Sequence, residues 1–214
     1  MPLVLPKLYV ILDAALLANS EIETARRLAE VGVRLIQYRN KKASARELFQ
    51  RSHELAELLR PYGVRFIVND RPDVAYLSGG DGVHVGQEDL DVEQTRRVIG
   101  REKWVGVSTH NLAQFQSALT TSAEYIAVGP IFPTSTKANP DPVVGDQLLW
   151  QVRPLTDRAI VAIGGITLER AAGVIEAGAD SLAVSGDILR AADPARRARQ
   201  YIDLLEPANH AAGV

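Results

Sequence analysis

A single (β/α)8 barrel of the TIM type is the fold class this sequence predicts, on three observations. Apolar runs and amphipathic segments alternate eight times along the chain. The apolar runs are near-continuous, as parallel strands covered on both faces require. The 214 residues suit one compact barrel, and no shift in composition argues for a second domain. A doubly wound open sheet uses the same alternation and is the competing architecture.

Residues 8–12 form the first expected strand. A helix follows from Ser20, which with Glu23 has the spacing of a capping box, and it stops at Gly32. Residues 33–38 read as the second strand. Ser44 and Glu47 open the second helix as another box, its apolar face runs through Leu48, Leu55 and Leu59, and Pro61 ends it. Residues 65–68 and 82–85 read as the third and fourth strands, joined by a helix that opens at Pro72. Residues 92–99 form the next helix, with Gly100 just past its end. Residues 104–107 are the fifth strand, followed by a helix marked by Leu112, Phe115 and Leu119. Strands six, seven and eight fall at 124–128, 159–163 and 181–184. Helix seven starts at Thr167, and the last begins at Asp193-Pro194, an N-cap with proline in the first turn. The barrel is expected over residues 1–206, with 207–214 as a flexible tail.

Composition narrows the function. A hydrophobic content of 46% with 23% charged residues is that of an ordinary soluble protein. A net charge of −2 without a Lys/Arg block gives no reason to expect nucleic acid. The chain has no cysteine, which excludes disulfides and thiolate metal sites and fits a reducing, cytoplasmic setting. The apolar start is broken by Pro6, Lys7 and Asp13, so neither a signal peptide nor a membrane span is expected.

In such a barrel the chemistry sits at the carboxyl ends of the strands. Asn69-Asp70 ends the third strand, and Asp89 lies just beyond the fourth. Two carboxylates converging from neighbouring strands suit Mg²⁺, which takes one or two carboxylates together with phosphate oxygens and water. The bland alternative is that Asp70 and Asp89 only cap the helices that follow. Gln37, Arg39 and Lys41 follow the second strand and Ser108 the fifth. These cations, carboxylates and amides are what a metal-bound diphosphate requires. A second cluster joins Gly164-Gly165 after strand seven to Ser185-Gly186 after strand eight, where backbone N–H groups at a helix start can meet a phosphate. The longest connection runs from Gly129 to Gly145, is stiffened by four prolines, and offers Thr134, Thr136 and Lys137 to the barrel mouth.

These residues together resemble the thiamine phosphate synthase family. The resemblance rests on Gln37-Tyr38-Arg39-Asn40-Lys41, Asn69-Asp70, residues 82–89, Gly106-Val107-Ser108, residues 129–137 (Gly-Pro-Ile-Phe-Pro-Thr-Ser-Thr-Lys), Gly164-Gly165-Ile166 and Val184-Ser185, in family order over most of the chain. It departs where Leu12 stands in place of an expected Thr or Ser. It implies a transferase of thiamine biosynthesis that joins a pyrimidine diphosphate to a thiazole phosphate and releases diphosphate. Its partners would be these small-molecule substrates, with no nucleic acid and no membrane. Asp70 and Asp89 would hold Mg²⁺. Gln37, Tyr38, Arg39, Asn40, Lys41, Asn69, Ser108 and Lys137 would meet the pyrimidine diphosphate, with Arg39, Lys41 and Lys137 acting on the leaving group. Thr134, Ser135, Thr136, Gly165, Val184 and Ser185 would meet the thiazole phosphate. A thiazole tautomerase sharing the barrel, or a non-catalytic phosphate-binding barrel, is the alternative. The tautomerase would need neither the acidic pair nor the basic residues opposite it.

Overall fold

The computed structural model describes residues 3–134 and 141–206. Eight parallel strands close into a barrel in sequence order, β1 (Leu8–Asp13), β2 (Leu35–Arg39), β3 (Arg65–Asn69), β4 (Gly82–Val85), β5 (Trp104–Thr109), β6 (Tyr125–Val128), β7 (Ala159–Ile163) and β8 (Ser181–Val184). Closure is made by β1 pairing with β8 as well as with β2, which rules out the open sheet. The helices are α1 (Glu21–Glu30), α2 (Ala45–Leu59), α3 (Pro72–Ser78), α4 (Val92–Ile99), α5 (Leu112–Leu119), α6 (Gln147–Val152), α7 (Leu168–Glu176), α8 (Gly186–Leu189) and α9 (Pro194–Leu205).

Each strand buries both faces, and the two faces fill different cores. Leu8, Val10 and Leu12 of β1 pack outward among the helices. Tyr9 and Ile11 point into the barrel with Leu35, Ile67, Tyr125, Ala127, Val161 and Ala183. The interior is narrow, and glycine makes room for its large side chains. A Cβ on Gly106 would lie 2.1 Å from the Tyr125 ring, so β5 carries no side chain where that ring crosses the barrel.

Several strands run further than their apolar residues suggested. β1 ends at Asp13, β2 at Arg39, β3 at Asn69 and β5 at Thr109. Parallel pairing carries them there: Asp13 lies opposite Arg39, Asn69 opposite His84 and Thr109 opposite Val128. Polar residues expected just beyond the strands therefore stand on rigid backbone at the mouth.

The helix starts agree with expectation except one. Ser44 and Glu47 form their reciprocal capping box, and Asp193 accepts from the N–H groups of Ala195 and Arg196. Each such cap satisfies backbone N–H groups that the first turn would otherwise leave unpaired. Ser20 makes no side-chain cap, and Glu23 lies 3.9 Å from Arg26 instead. Asp91 and Gln94 supply a box that the sequence reading missed. Also missed was α6, whose six residues are too few to show a helical period, although Leu148, Leu149 and Val152 are buried.

Candidate active site

The strand ends surround a cavity of about 840 Å³ at the carboxyl mouth, within the range of small-molecule sites. Its wall begins with Asp13, which is 1% exposed. Asp13 accepts from Ala15 N at 3.0 Å and from Arg39 Nη1 at 2.5 Å. Parallel pairing fixes the second contact, because Asp13 and Arg39 are register partners on adjacent strands. Arg39 is thus held against the wall with other donors of its guanidinium fork left for a second acceptor.

Lys41 reaches back from the β2 loop to an ion pair with Asp70. Asp70 has φ +61, a left-handed conformation that no other non-glycine residue adopts among the described residues. Asp bears that conformation better than most residues, and strained backbone concentrates at functional sites. The Asp70 N–H donates to His84 O at 2.8 Å, so the strained residue is pinned to β4. Asp89 Oδ2 accepts from Gly86 N at 2.8 Å. Burial pushes the Asp89 carboxyl above its ordinary value, and the Asp70 carboxylate beside it pushes the same way. Neither aspartate caps a helix: Arg71 precedes α3 and Asp91 caps α4. The capping alternative is thereby removed.

This acidic pair fits a divalent cation. Two facing carboxylates, one already raised by the other, gain from a shared positive charge, and substrate oxygens and water can complete an octahedron. Among the described residues no group of three or more His, Asp or Glu side chains is placed to hold a metal ion.

Gln37, Asn69 and Ser108 also line the cavity. Two expected residues stand apart from that lining. Tyr38 and Asn40 are not among the cavity's lining residues; for Tyr38 the reason is that alternate strand residues face opposite ways, while Asn40 follows the end of β2. Gln37 and Arg39 turn inward while Tyr38 packs among the helices, its hydroxyl donating to Glu21 at 3.2 Å and accepting from Asn40 Nδ2 at 3.2 Å.

On the opposite side, Gly164 and Gly165 have φ values of +99 and +63. Both line the cavity, and both also serve packing. A Cβ on Gly164 would lie 2.5 Å from Pro130, and one on Gly165 would lie 2.4 Å from Pro133 O. The two glycines let the loop after β6 lie directly on β7, fastened by Ile131 N to Ile163 O at 2.9 Å and Phe132 N to Gly164 O at 3.0 Å. Thr134, Val184 and Ser185 line the same side. The Ser185 hydroxyl donates to Ile11 O at 2.9 Å. The helix it opens, α8, has four residues, too few for a helix dipole to matter, and Gly186 and Asp187 at its start line the cavity. Ser135, Thr136 and Lys137, like the expected tail 207–214, lie outside the described residues.

The sequence reading missed Asp13, whose signal was present in its place at the end of a strand. It also missed Arg170, which lines the cavity, stacks on Phe132 at 4.5 Å and donates to Gly165 O at 3.1 Å. His110 lines the cavity as well, with Nδ1 2.6 Å from Gly129 O.

A family model described as thiamine monophosphate synthase matches residues 8–188. The chain is 48% identical over 206 residues to a thiamine-phosphate synthase of Koribacter versatilis, covering 94% of this chain and 96% of the relative. It is 44% identical over 195 residues to that of Chloroflexus aurantiacus, covering 91% and 90%. Among solved structures, a thiamine phosphate pyrophosphorylase from Pyrococcus furiosus superposes with a TM-score of 0.85 at 32% identity, covering 94% of this chain and 95% of the other.

Proposed function

The chain belongs to the thiamine monophosphate synthase family, and on that premise we propose how its cavity joins a pyrimidine diphosphate to a thiazole phosphate with release of diphosphate. The observation that carries the reading is the placement of Asp70 and Asp89 beside Lys41, on the same wall as Arg39. Two cations, Arg39 and Lys41, converge there with the acidic pair, while Asp13 holds Arg39 from behind, and a diphosphate with its counter-cation requires both signs of charge.

Breaking the C–O bond moves negative charge onto diphosphate. Arg39, oriented by Asp13, and Lys41 neutralise that charge from the wall, and Lys137 is assigned the same role from the loop. Mg²⁺ held by Asp70 and Asp89 would add Lewis-acid neutralisation of the diphosphate oxygens. The pyrimidinylmethyl centre delocalises positive charge, so the displacement is dissociative. The thiazole nitrogen attacks without losing a proton, and no general base is needed. Thr134, Gly165, Val184 and Ser185, together with Ser135 and Thr136, are assigned to the thiazole phosphate. The cysteine-free composition supports a cytoplasmic setting, and no described helix is long and apolar enough to cross a membrane.

The test is to mix both substrates with Mg²⁺ and measure released diphosphate and product mass. Stoichiometric diphosphate with one condensed phosphate ester is expected. Turnover of the thiazole phosphate alone, or no diphosphate at all, would reject the reading.

A further inference from the structure

Five polar side chains cross the barrel interior in one unbroken file. Gln37 Nε2 donates to the Tyr9 hydroxyl at 2.7 Å, and the Tyr9 and Tyr125 hydroxyls are 3.0 Å apart. The Tyr125 hydroxyl lies 3.1 Å from His84 Nδ1, and His84 Nε2 lies 2.8 Å from Ser108 Oγ. The file starts on β2, passes through β1, β6 and β4, and ends on β5 at the cavity wall. Tyr9 and Tyr125 meet edge to face at 6.0 Å, and Tyr125 stacks on His84 at 5.6 Å. Both tyrosines are buried, and Gly106 provides the gap that Tyr125 fills.

Hydrogen counting gives the file a direction. An amide NH₂ can only donate, so the Tyr9 oxygen accepts from Gln37; the buried Tyr9 hydrogen then takes the Tyr125 oxygen as its acceptor, because among the described residues that is the other partner of this hydroxyl. Tyr125 then accepts from Tyr9 and spends its own hydrogen on His84 Nδ1. Burial pushes both phenols above their ordinary value, so each keeps the hydrogen it donates. With Nδ1 accepting, a neutral imidazole carries its hydrogen on Nε2 and gives it to Ser108 Oγ. The Ser108 hydrogen is left to point into the cavity.

We propose that Tyr9 and Tyr125 are positioning residues: with Gln37 they hold His84 in its Nε2–H tautomer and so make Ser108 a hydrogen-bond donor toward the bound diphosphate. The last clause rests on the function proposed above, whereas the tautomer does not. The opposite polarity would begin from the Gln37 amide turned over. His84 would then donate through Nδ1, Ser108 would spend its hydrogen on Nε2, and oxygen lone pairs would face the anion. A barrel that needed only to satisfy buried polar groups could use either polarity. An anion site can use only one.

The experiment has a structural and a kinetic arm. Long-range ¹H–¹⁵N correlation on the full chain reports which ring nitrogen of each neutral histidine carries hydrogen, and a His84→Gln variant identifies the signal among the four histidines. Hydrogen on Nε2 in the wild type is expected, and hydrogen on Nδ1 overturns the proposal whatever the enzyme does. Tyr125→Phe keeps the ring and should give a mixture of tautomers. Its kcat/KM should fall about tenfold through a higher KM for the pyrimidine diphosphate, the scale of one oriented hydrogen bond to a charged group. In a Ser108→Ala background the same change should cost less than about twofold, because the hydroxyl it acts through is gone. A full tenfold loss in that background would mean that Tyr125 serves packing alone, and the proposal would fail. Should Tyr125→Phe not fold, Tyr9→Phe in both backgrounds replaces it and the wild-type tautomer still decides.

Discussion

Removal of the Asp13 carboxylate tests how the site holds Arg39. Asp13→Ala deletes two contacts, the 2.5 Å ion pair to Arg39 and the acceptor for Ala15 N. Breaking a buried pair from one side costs about 3–5 kcal/mol, because the other charge stays buried without compensation. The Arg39 side chain keeps 19% of its surface at the cavity mouth, which places the loss near the lower end, about 3 kcal/mol. The lost cap adds about 1 kcal/mol. Together these correspond to a fall in Tm of roughly 8–16 °C for a chain of this size. Asp13→Asn keeps one acceptor oxygen where the carboxylate uses two and turns an NH₂ toward the other donor, so it should recover only the cap to Ala15 N, about 1 kcal/mol of the loss. Urea unfolding followed by far-UV circular dichroism measures both variants, with the midpoint moving at constant slope. A loss below about 1 kcal/mol for Asp13→Ala, the scale of an exposed pair, would refute the claim that burial gives this contact its weight. Asp13→Asn should also raise KM for the pyrimidine diphosphate, since Arg39 is no longer fixed against the wall.

Asp70→Asn and Asp89→Asn should each lower activity at least ~10²-fold with little change in fold, as for the loss of one preorganised electrostatic contact. Near-normal rates in EDTA would reject the metal reading. Gly165→Val should destabilise the chain itself, by about 1–3 kcal/mol, because of φ +63 and the 2.4 Å approach of Pro133 O; an unchanged melting curve would show that the loop yields freely. Lys137→Ala should reduce kcat by about 10²–10³-fold with a smaller change in KM, and steady-state kinetics with both substrates separate the two. The amide of Arg196, aided by the Arg27 guanidinium, lowers the Asp193 carboxyl below its ordinary value. Its stabilisation is therefore present above the unfolded carboxylate pKa and lost as pH falls through the lower folded value. Asp193→Asn should flatten the acid limb of the pH–stability curve, and an unchanged limb would contradict this.

The barrel was legible in the sequence because its signals are local. Near-continuous apolar runs, the Ser44–Glu47 box, the stop at Gly32 and the Asp193-Pro194 start each act within a few residues. The acidic pair was legible for a related reason, since Asp70 and Asp89 each stand at the end of a recognisable strand unit. The contiguous motif 37–41 does not show by itself which of its residues face the cavity; the strand's two-residue period turns Gln37 and Arg39 inward and Tyr38 outward. Only the tertiary structure decided the pairings across the barrel. Asp13 meets Arg39 at a sequence separation of 26, and Tyr9 meets Tyr125 at one of 116. Register and closure bring those atoms together, and both depend on all eight strands pairing at once, which no local stretch of sequence encodes.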